Sequence, residues 1–411
     1  MTHVARATAT ARSRLISVLP VLAMLTGCSA TVTGEAGRDP DAPAWVTLDA
    51  GNYSTAPRPP LGAAGSNGAI IEAHRMADAV VGPWEVDPTL QNRGTASTSV
   101  WRSTEAMGTS LPQNISTIAA TRGFLTGFST DRSSNAAPGS LTALQIAVMR
   151  FPSAEAATAA AAEMARAPQG PPGATDPPPL LPVVGHAESL AVPSTAGDGS
   201  ATVAAYTPRG MFVLYTFARA QDGNADTVTR LTTTALSLQK PRLDAFEPTP
   251  ADRFAALPVD PDGVQVKTIP PAPGTLMVTH GWWPARGVLH FSVDPLSSSA
   301  LFADAGVVGV ANGLVTVTQT RDAAGSSILM KGFADAAARR PEPRSVETDP
   351  VPGLATSKCF DGGEAASGAP KIGAPRFVCR FNVDRYVAEV ASQQLPDAHQ
   401  RAAAQYLLLT T

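Results

Sequence analysis

"LTALQIAVMRFPSAEAATAAAAEMARA" (residues 141–167) changes its hydrophobic period halfway along, and that change decides the fold. Leu144, Ile146 and Val148 alternate on one side of an extended chain, which reads as a β-strand. Pro152 and Ser153 end the run. A serine there accepts a bond from the first free amides of a helix, so the alanine-rich segment after it is expected to be helical. Further on, "SATVAAYT" and "FVLYTFARA", joined through Pro208-Arg209-Gly210, read as a β-hairpin, and "NADTVTRLTTTALSL" as a closing helix. The order is strand, helix, hairpin, helix.

The second half of the chain repeats that order. "GLVTVTQTR" reads as a strand, "DAAGSSILMKGFADAAARR" as a helix, "RFVCRFNVDRYVAEVA" as a hairpin and "PDAHQRAAAQYLLL" as a helix. Three residue matches accompany it. Val86-Asp87-Pro88 recurs as Val259-Asp260-Pro261 (a shift of 173), Arg150 as Arg321 (171) and Val213 as Val387 (174). Similar shifts in one order predict a tandem duplication. The expected fold class is therefore α+β, with two related modules at residues 45–246 and 247–411. In each, the helices are expected to pack on one face of a sheet.

The first 27 residues predict an address. Arg6, Arg12 and Arg14 precede a short apolar stretch from Leu15 to Leu25, and no acidic residue occurs before position 28. Eleven helical residues rise about 16 Å, roughly half a bilayer core, so this segment reads as an export signal and not a span. Leu25-Thr26-Gly27-Cys28 resembles a bacterial lipobox. That resemblance implies cleavage before Cys28, a diacylglyceryl group on its sulfur, palmitate-type acylation of the new N-terminus and stable anchoring in the cell membrane. Residues 28–44 are small, polar and proline-containing, and read as a flexible tether.

Composition bounds the rest. The 411 residues carry a net charge of −3; the signal removes three arginines and no acid, so the mature chain stands at −6. That charge argues against nucleic acid and against a basic lipid-binding face. No second apolar run approaches the 18 residues of a membrane span. With 37 prolines, 34 glycines and 16% charged residues, the chain reads as a turn-rich extracytoplasmic protein. Cys359 and Cys379 sit in "SKCFDGG" and "RFVCRFN" with a small-residue loop between them, and an oxidising compartment predicts that they pair. Closing such a loop contributes on the order of 3 kcal/mol. No histidine or third cysteine lies at metal-ligand spacing from them, so no metal is expected there.

Catalytic signatures are missing. The histidines are His3, His74, His186, His280, His290 and His399, with no H-E-x-x-H or H-x-H, and no G-x-S-x-G occurs. "GAAGSNG" (62–68) lacks the lysine of a phosphate loop and reads as a plain loop before a helix. Paired glycosidase carboxylates find no support in any particular pair. "VTHGWWPARG" places His280, Trp282, Trp283 and Arg286 close together, a set that could contact a sugar or aromatic ligand, against the simpler reading of a surface turn with its tryptophans tucked onto the sheet. His399 reads as solvent-facing.

"LDAGNYSTAPRPPLG", "EAHRMADAVVGPWEVDP", "RGFLTGFSTDR" and "HQRAAAQYLLL" resemble the recurring blocks of an actinobacterial cell-envelope lipoprotein family, catalogued as a two-module domain of unknown function. The resemblance implies the anchor, the envelope location and the two modules, and carries over no catalytic residue. The expectation is a non-catalytic protein without cofactor, binding a small molecule, a lipid or an envelope protein. The alternatives are an envelope-acting hydrolase and a structural or assembly lipoprotein.

Overall fold

Thr142–Arg150 is the strand expected from the opening alternation, but it is apolar on both sides. Leu144, Ile146 and Val148 enter one core, and Ala147 and Met149 enter another. A strand of that kind needs a layer above and a layer below. The computed structural model, which describes residues 48–96, 98–137, 139–168, 177–275, 278–339, 345–363 and 375–411, supplies both. Cys28, the signal and the tether lie outside the described residues.

The N-terminal half opens with α1 (Gly68–Ala77), α2 (Pro83–Val86), β1 (Leu90–Arg93) and β2 (Ser99–Trp101). Two further helices, α3 (Thr104–Met107) and α4 (Gln113–Thr121), precede β3 (Thr126–Ser134), β4 (Thr142–Arg150) and α5 (Ala154–Arg166). It closes with β5 (Leu181–Val183), β6 (His186–Thr195), β7 (Ala201–Arg209), β8 (Phe212–Ala220) and α6 (Ala225–Asp244). The C-terminal half runs β9 (Gly281–Pro284), α7 (Ala285–Leu289), α8 (Pro295–Asp304), β10 (Val307–Asn312), β11 (Val315–Thr320) and α9 (Ala323–Arg339). Then come β12 (Val346–Thr348), β13 (Lys358–Asp361), β14 (Phe377–Val383), β15 (Tyr386–Ser392) and α10 (Leu395–Thr410).

The two sheets have one topology. The first is ordered β1-β3-β4-β8-β7-β6-β5, with β2 also on β3; the second reads β9-β10-β11-β15-β14-β13-β12. In each, the chain leaves the centre, crosses through a helix to the far edge and returns strand by strand in antiparallel pairs. The fold class is α+β, with two tandem modules. The layering corrects the sequence expectation: the helices do not share one face. Helix α5 covers Ala147 and Met149, while α1 and α6 cover the opposite side of the first sheet. In the second sheet α10 packs over Phe381 and Val390, while Leu329 of α9 meets Val387 on the other side. The alternation hid this because alanine at 147 suits a close-packed face as well as a neutral one. Ala157, Ala160 and Ala161 of α5 are buried and let that helix approach the sheet closely.

Register shows which residues are equivalent. Phe151 N–H donates to the Met211 carbonyl, and Thr320 N–H to that of Arg385. Val213 and Val387 are therefore true counterparts, but Arg150 corresponds to Gln319, two residues before Arg321. The Val-Asp-Pro match is also not structural. Val86 ends α2 just before β1, whereas Val259 lies far ahead of β9, beside Gly62. A better signature is a buried glutamine. Gln239 of α6 accepts from Val81 N–H and donates to the Ala79 carbonyl, both at 2.8 Å. Gln405 of α10 accepts from Ile269 N–H (3.0 Å) and donates to the Lys267 carbonyl (2.7 Å). The helix caps match too: Ser153 Oγ accepts from Ala156 N–H as expected, and the Asp322 carboxylate accepts from Gly325 N–H.

The modules exchange segments at their ends. Leu48, Ala50 and Tyr53, first in the described chain, pack on the C-terminal core. Trp283 of β9 is buried in the N-terminal core. The connecting segment is pinned between them by a fully buried carboxylate. Glu72 of α1 takes ion pairs from Arg75 and Arg150, and accepts from Thr249 N–H (3.0 Å) and Thr249 Oγ1 (2.9 Å). Arg150 also donates to the Thr249 carbonyl and lies 4.9 Å over the Phe254 ring. The glycine-rich loop completes the clamp, since a Cβ on Gly68 would stand 2.5 Å from the Phe254 carbonyl carbon.

Replacing either glutamine by leucine strands a buried amide and a buried carbonyl. Gln239→Leu and Gln405→Leu are each expected to lower the unfolding free energy by about 2 kcal/mol or more in urea titrations. A loss below about 0.5 kcal/mol in one of them would show that the two sites are not equivalent in energy.

Candidate functional site

The four residues of "HGWWPAR" do not form one site. Trp282 and Trp283 are neighbours on β9, so their side chains leave opposite faces of the sheet. Trp282 is half-buried against Gly309. Trp283 is buried and stacks on His74 of α1, with ring centroids 3.7 Å apart. His280 is half-buried in the turn before the strand, near Thr279 Oγ1. Arg286 is exposed at the start of α7, where its side chain faces Glu85 at 3.4 Å and its backbone N–H donates to Asp78. These residues join the two modules.

That junction is rich in polar groups, all turned inward. His290 Nε2 donates to the Ala77 carbonyl at 3.1 Å, and the ring lies between Trp84 and Phe128. Arg132 of β3 is buried and donates to the carbonyls of Gln91, His290 and Ser292 at 2.6–2.8 Å, with Trp84 5.6 Å away. His74 Nε2 meets the Val278 carbonyl at 3.3 Å. Burial drives both imidazoles down to a pKa of about 4, only partly offset by their backbone acceptors. Among the described residues neither Nδ1 makes a hydrogen bond, and burying the charge of a second proton is unfavourable. Both rings are neutral at physiological pH.

A hydroxyl–imidazole pair occurs in the N-terminal module. His186 Nε2 lies 3.2 Å from Ser237 Oγ on α6. The Lys240 ammonium donates to His186 Nδ1 at 3.1 Å and pairs with Glu188. An ammonium only donates, so Nδ1 accepts and the ring proton sits on Nε2, pointing at the serine. A general base needs the reverse tautomer. This cluster ties β6 to α6 and is not arranged to activate Ser237.

Among the described residues, two concavities and a cysteine cluster also offer candidate sites. A groove of about 690 Å³ between α4 and α5 is lined by Asn114, Thr117, Ile118, Glu163, Ala167 and Pro168. A polar hollow of about 470 Å³ at the start of α10 is lined by Ser392, Gln394, Asp397 and Arg401, among others. Burial alone would raise the Asp397 carboxyl, but Ser392, Tyr53 and Arg401 together hold it low. Tyr53 OH donates to Asp397 at 2.6 Å and accepts from Arg401 Nε at 2.9 Å, so the hollow is internally neutralised. Cys359 and Cys379 face each other across β13 and β14 and form the expected disulfide. His399 is half-buried above it on α10, with a ring nitrogen within 4.8 Å of both sulfurs. Spacing along the chain could not reveal this, because His399 arrives through helix packing.

Comparisons with known proteins place the chain in sequence space. Residues 60–259 match a domain of unknown function (DUF7373), N-terminal, and residues 266–411 match its C-terminal counterpart. No curated protein matches. Among solved structures, the chain is similar to the extracellular domain of PknH from Mycobacterium tuberculosis, with 13% identity over 42% of this chain and 96% of that one, at a TM-score of 0.27. Among the described residues, no helix is long and apolar enough to cross a membrane.

The buried imidazoles fix a pH dependence. Folded, His74 and His290 bind a proton only below about pH 4; unfolded, they bind it below 6.5. Their contribution to stability is full above 6.5 and is lost as pH falls toward 4, by up to about 3 kcal/mol for each ring. Thermal melts across that window are expected to show a steep fall in Tm. His74→Phe keeps the stack on Trp283 and is expected to lessen that slope by roughly half. An unchanged slope would remove His74 from the account.

Proposed function

We propose, for a chain that belongs to the DUF7373 family, the role of a lipid-anchored extracytoplasmic binding protein of the cell envelope, with no catalysis of its own. The observation that carries the address is Leu25-Thr26-Gly27-Cys28 behind a basic head and an apolar run too short to span. The Cys359–Cys379 disulfide supports an oxidising compartment. The resemblance to actinobacterial lipoproteins points to the same place.

The binding role rests on the groove between α4 and α5. Its volume of about 690 Å³ falls within the range typical of small-molecule sites, and its lining combines Ile118, Ala167 and Pro168 with Thr117 and Glu163. That lining suits a mainly apolar ligand with a polar end. Support for a non-catalytic reading comes from the histidines: two are buried and neutral, and His186 is held in the wrong tautomer for a base.

Two measurements test this reading. Cys28→Ala is expected to lose labelling by a fatty-acid analogue and to leave the membrane fraction; a variant that keeps both would refute the anchor. Native mass spectrometry of the protein purified from its own host is expected to show a co-purifying mass. Thr117→Trp, an exposed lining position where the indole would occupy the groove, is expected to abolish it. A mass shift that survives the substitution would place the ligand elsewhere.

A further inference from the structure

The sulfur cluster of the C-terminal module has a second use. Cys359 and Cys379 are fully buried under α10, and His399 on that helix is half-exposed. Its Nε2 contacts the Asp349 carbonyl at 3.0 Å. A carbonyl only accepts, so this bond places the ring proton on Nε2 and leaves the Nδ1 lone pair free. Ligating histidines are held in this way by a backbone carbonyl on the far nitrogen. A ring nitrogen of His399 and the two sulfurs lie within 4.8 Å of one another, close enough to converge on one ion after small side-chain rotations.

We propose that reduction of the Cys359–Cys379 disulfide uncovers a two-cysteine, one-histidine site for a thiophilic d¹⁰ metal ion, so that the module exchanges a covalent crosslink for a coordinate one. A dithiol reductant supplies the two electrons and two protons: the S–S bond breaks, two thiols form and the reductant closes its own disulfide. The metal then displaces both thiol protons, forming two metal–sulfur bonds, while His399 donates a neutral nitrogen. Three protein ligands leave a fourth position open on a tetrahedral ion. The Lewis acid also resolves an electrostatic difficulty, since two buried thiolates are unfavourable without a compensating charge.

Cobalt(II) and zinc serve as probes on the full chain carrying Cys28→Ala, whose only sulfhydryls are then Cys359 and Cys379. After reduction and removal of the reductant under nitrogen, cobalt(II) is expected to bind once per chain. A sulfur-to-metal charge-transfer band and tetrahedral visible bands are expected, both displaced by zinc with release of two protons. The oxidised chain is expected to give neither signal. His399→Ala, which remains crosslinked and folded before reduction, is expected to bind zinc more than about 100-fold more weakly, exceeding the loss of an outer-shell partner. The proposal is overturned if the reduced chain takes up no stoichiometric cobalt, folded or not. It is equally overturned if His399→Ala binds as tightly as the parent, or if the oxidised chain gives the same spectrum.

Discussion

One buried carboxylate organises the chain. Glu72 has no contact with water, and its charge is balanced by Arg75 and by the almost equally buried Arg150. Removing one partner from such a set leaves an unpaired charge in the interior, which costs about 3–5 kcal/mol. The three groups come from a helix and from the end of a central strand, and the carboxylate also accepts two bonds from Thr249 in the connecting segment. The path between modules is therefore set by the N-terminal core. From Thr249 onward the segment runs beside the glycine-rich loop, through Ala64 and Leu257, and delivers β9 to the place where Trp283 meets His74.

The same fold is stabilised differently in its two copies. Val387 is the counterpart of Val213; three residues further on, Val390 pairs with Cys379 and Thr216 with Ala205. Ala205 in turn pairs with Ala191, as Cys379 does with Cys359. The disulfide therefore occupies the position of a buried alanine pair. The N-terminal module has a broad apolar core on both sheet faces, into which Trp283 is inserted, and needs no crosslink there. Outer strands β12 and β13 of the second sheet have only three and four residues, and a crosslink between β13 and β14 compensates for such short pairing.

Much of this architecture was legible in the sequence, for identifiable reasons. The period change near Pro152 located strand and helix, because proline and serine act locally; the hairpin was located too, but Pro208 and Arg209 pair inside β7 and its tip is Gly210-Met211. The duplication was readable as element order and poorly readable as residue matches. Of three matches only Val213 and Val387 coincide, since loop lengths shift the offset along the chain. Gln239 and Gln405 are the better marks, yet a glutamine inside an alanine-rich helix looks like an exposed position until its partners are known. The "HGWWPAR" cluster failed as a site because adjacent strand residues point apart. His399 reads as solvent-facing in the sequence because its neighbours are brought to it by the packing of α10, not by spacing.

Tyr53 lies 344 residues from Asp397 and 348 from Arg401, the two groups that hold its hydroxyl. Its backbone neighbours Leu48 and Ala50 rest on the same late-formed core. A chain made from its N-terminus presents that segment well before α10. Closure of the fold must therefore wait for that helix, and until then the leading segment has no surface on which to settle. Contacts of such long sequence separation are slow to form and leave apolar strands uncovered meanwhile. For this molecule the docking of α10 and the docking of the Tyr53 segment are one event, in which a late helix fastens an early stretch of chain.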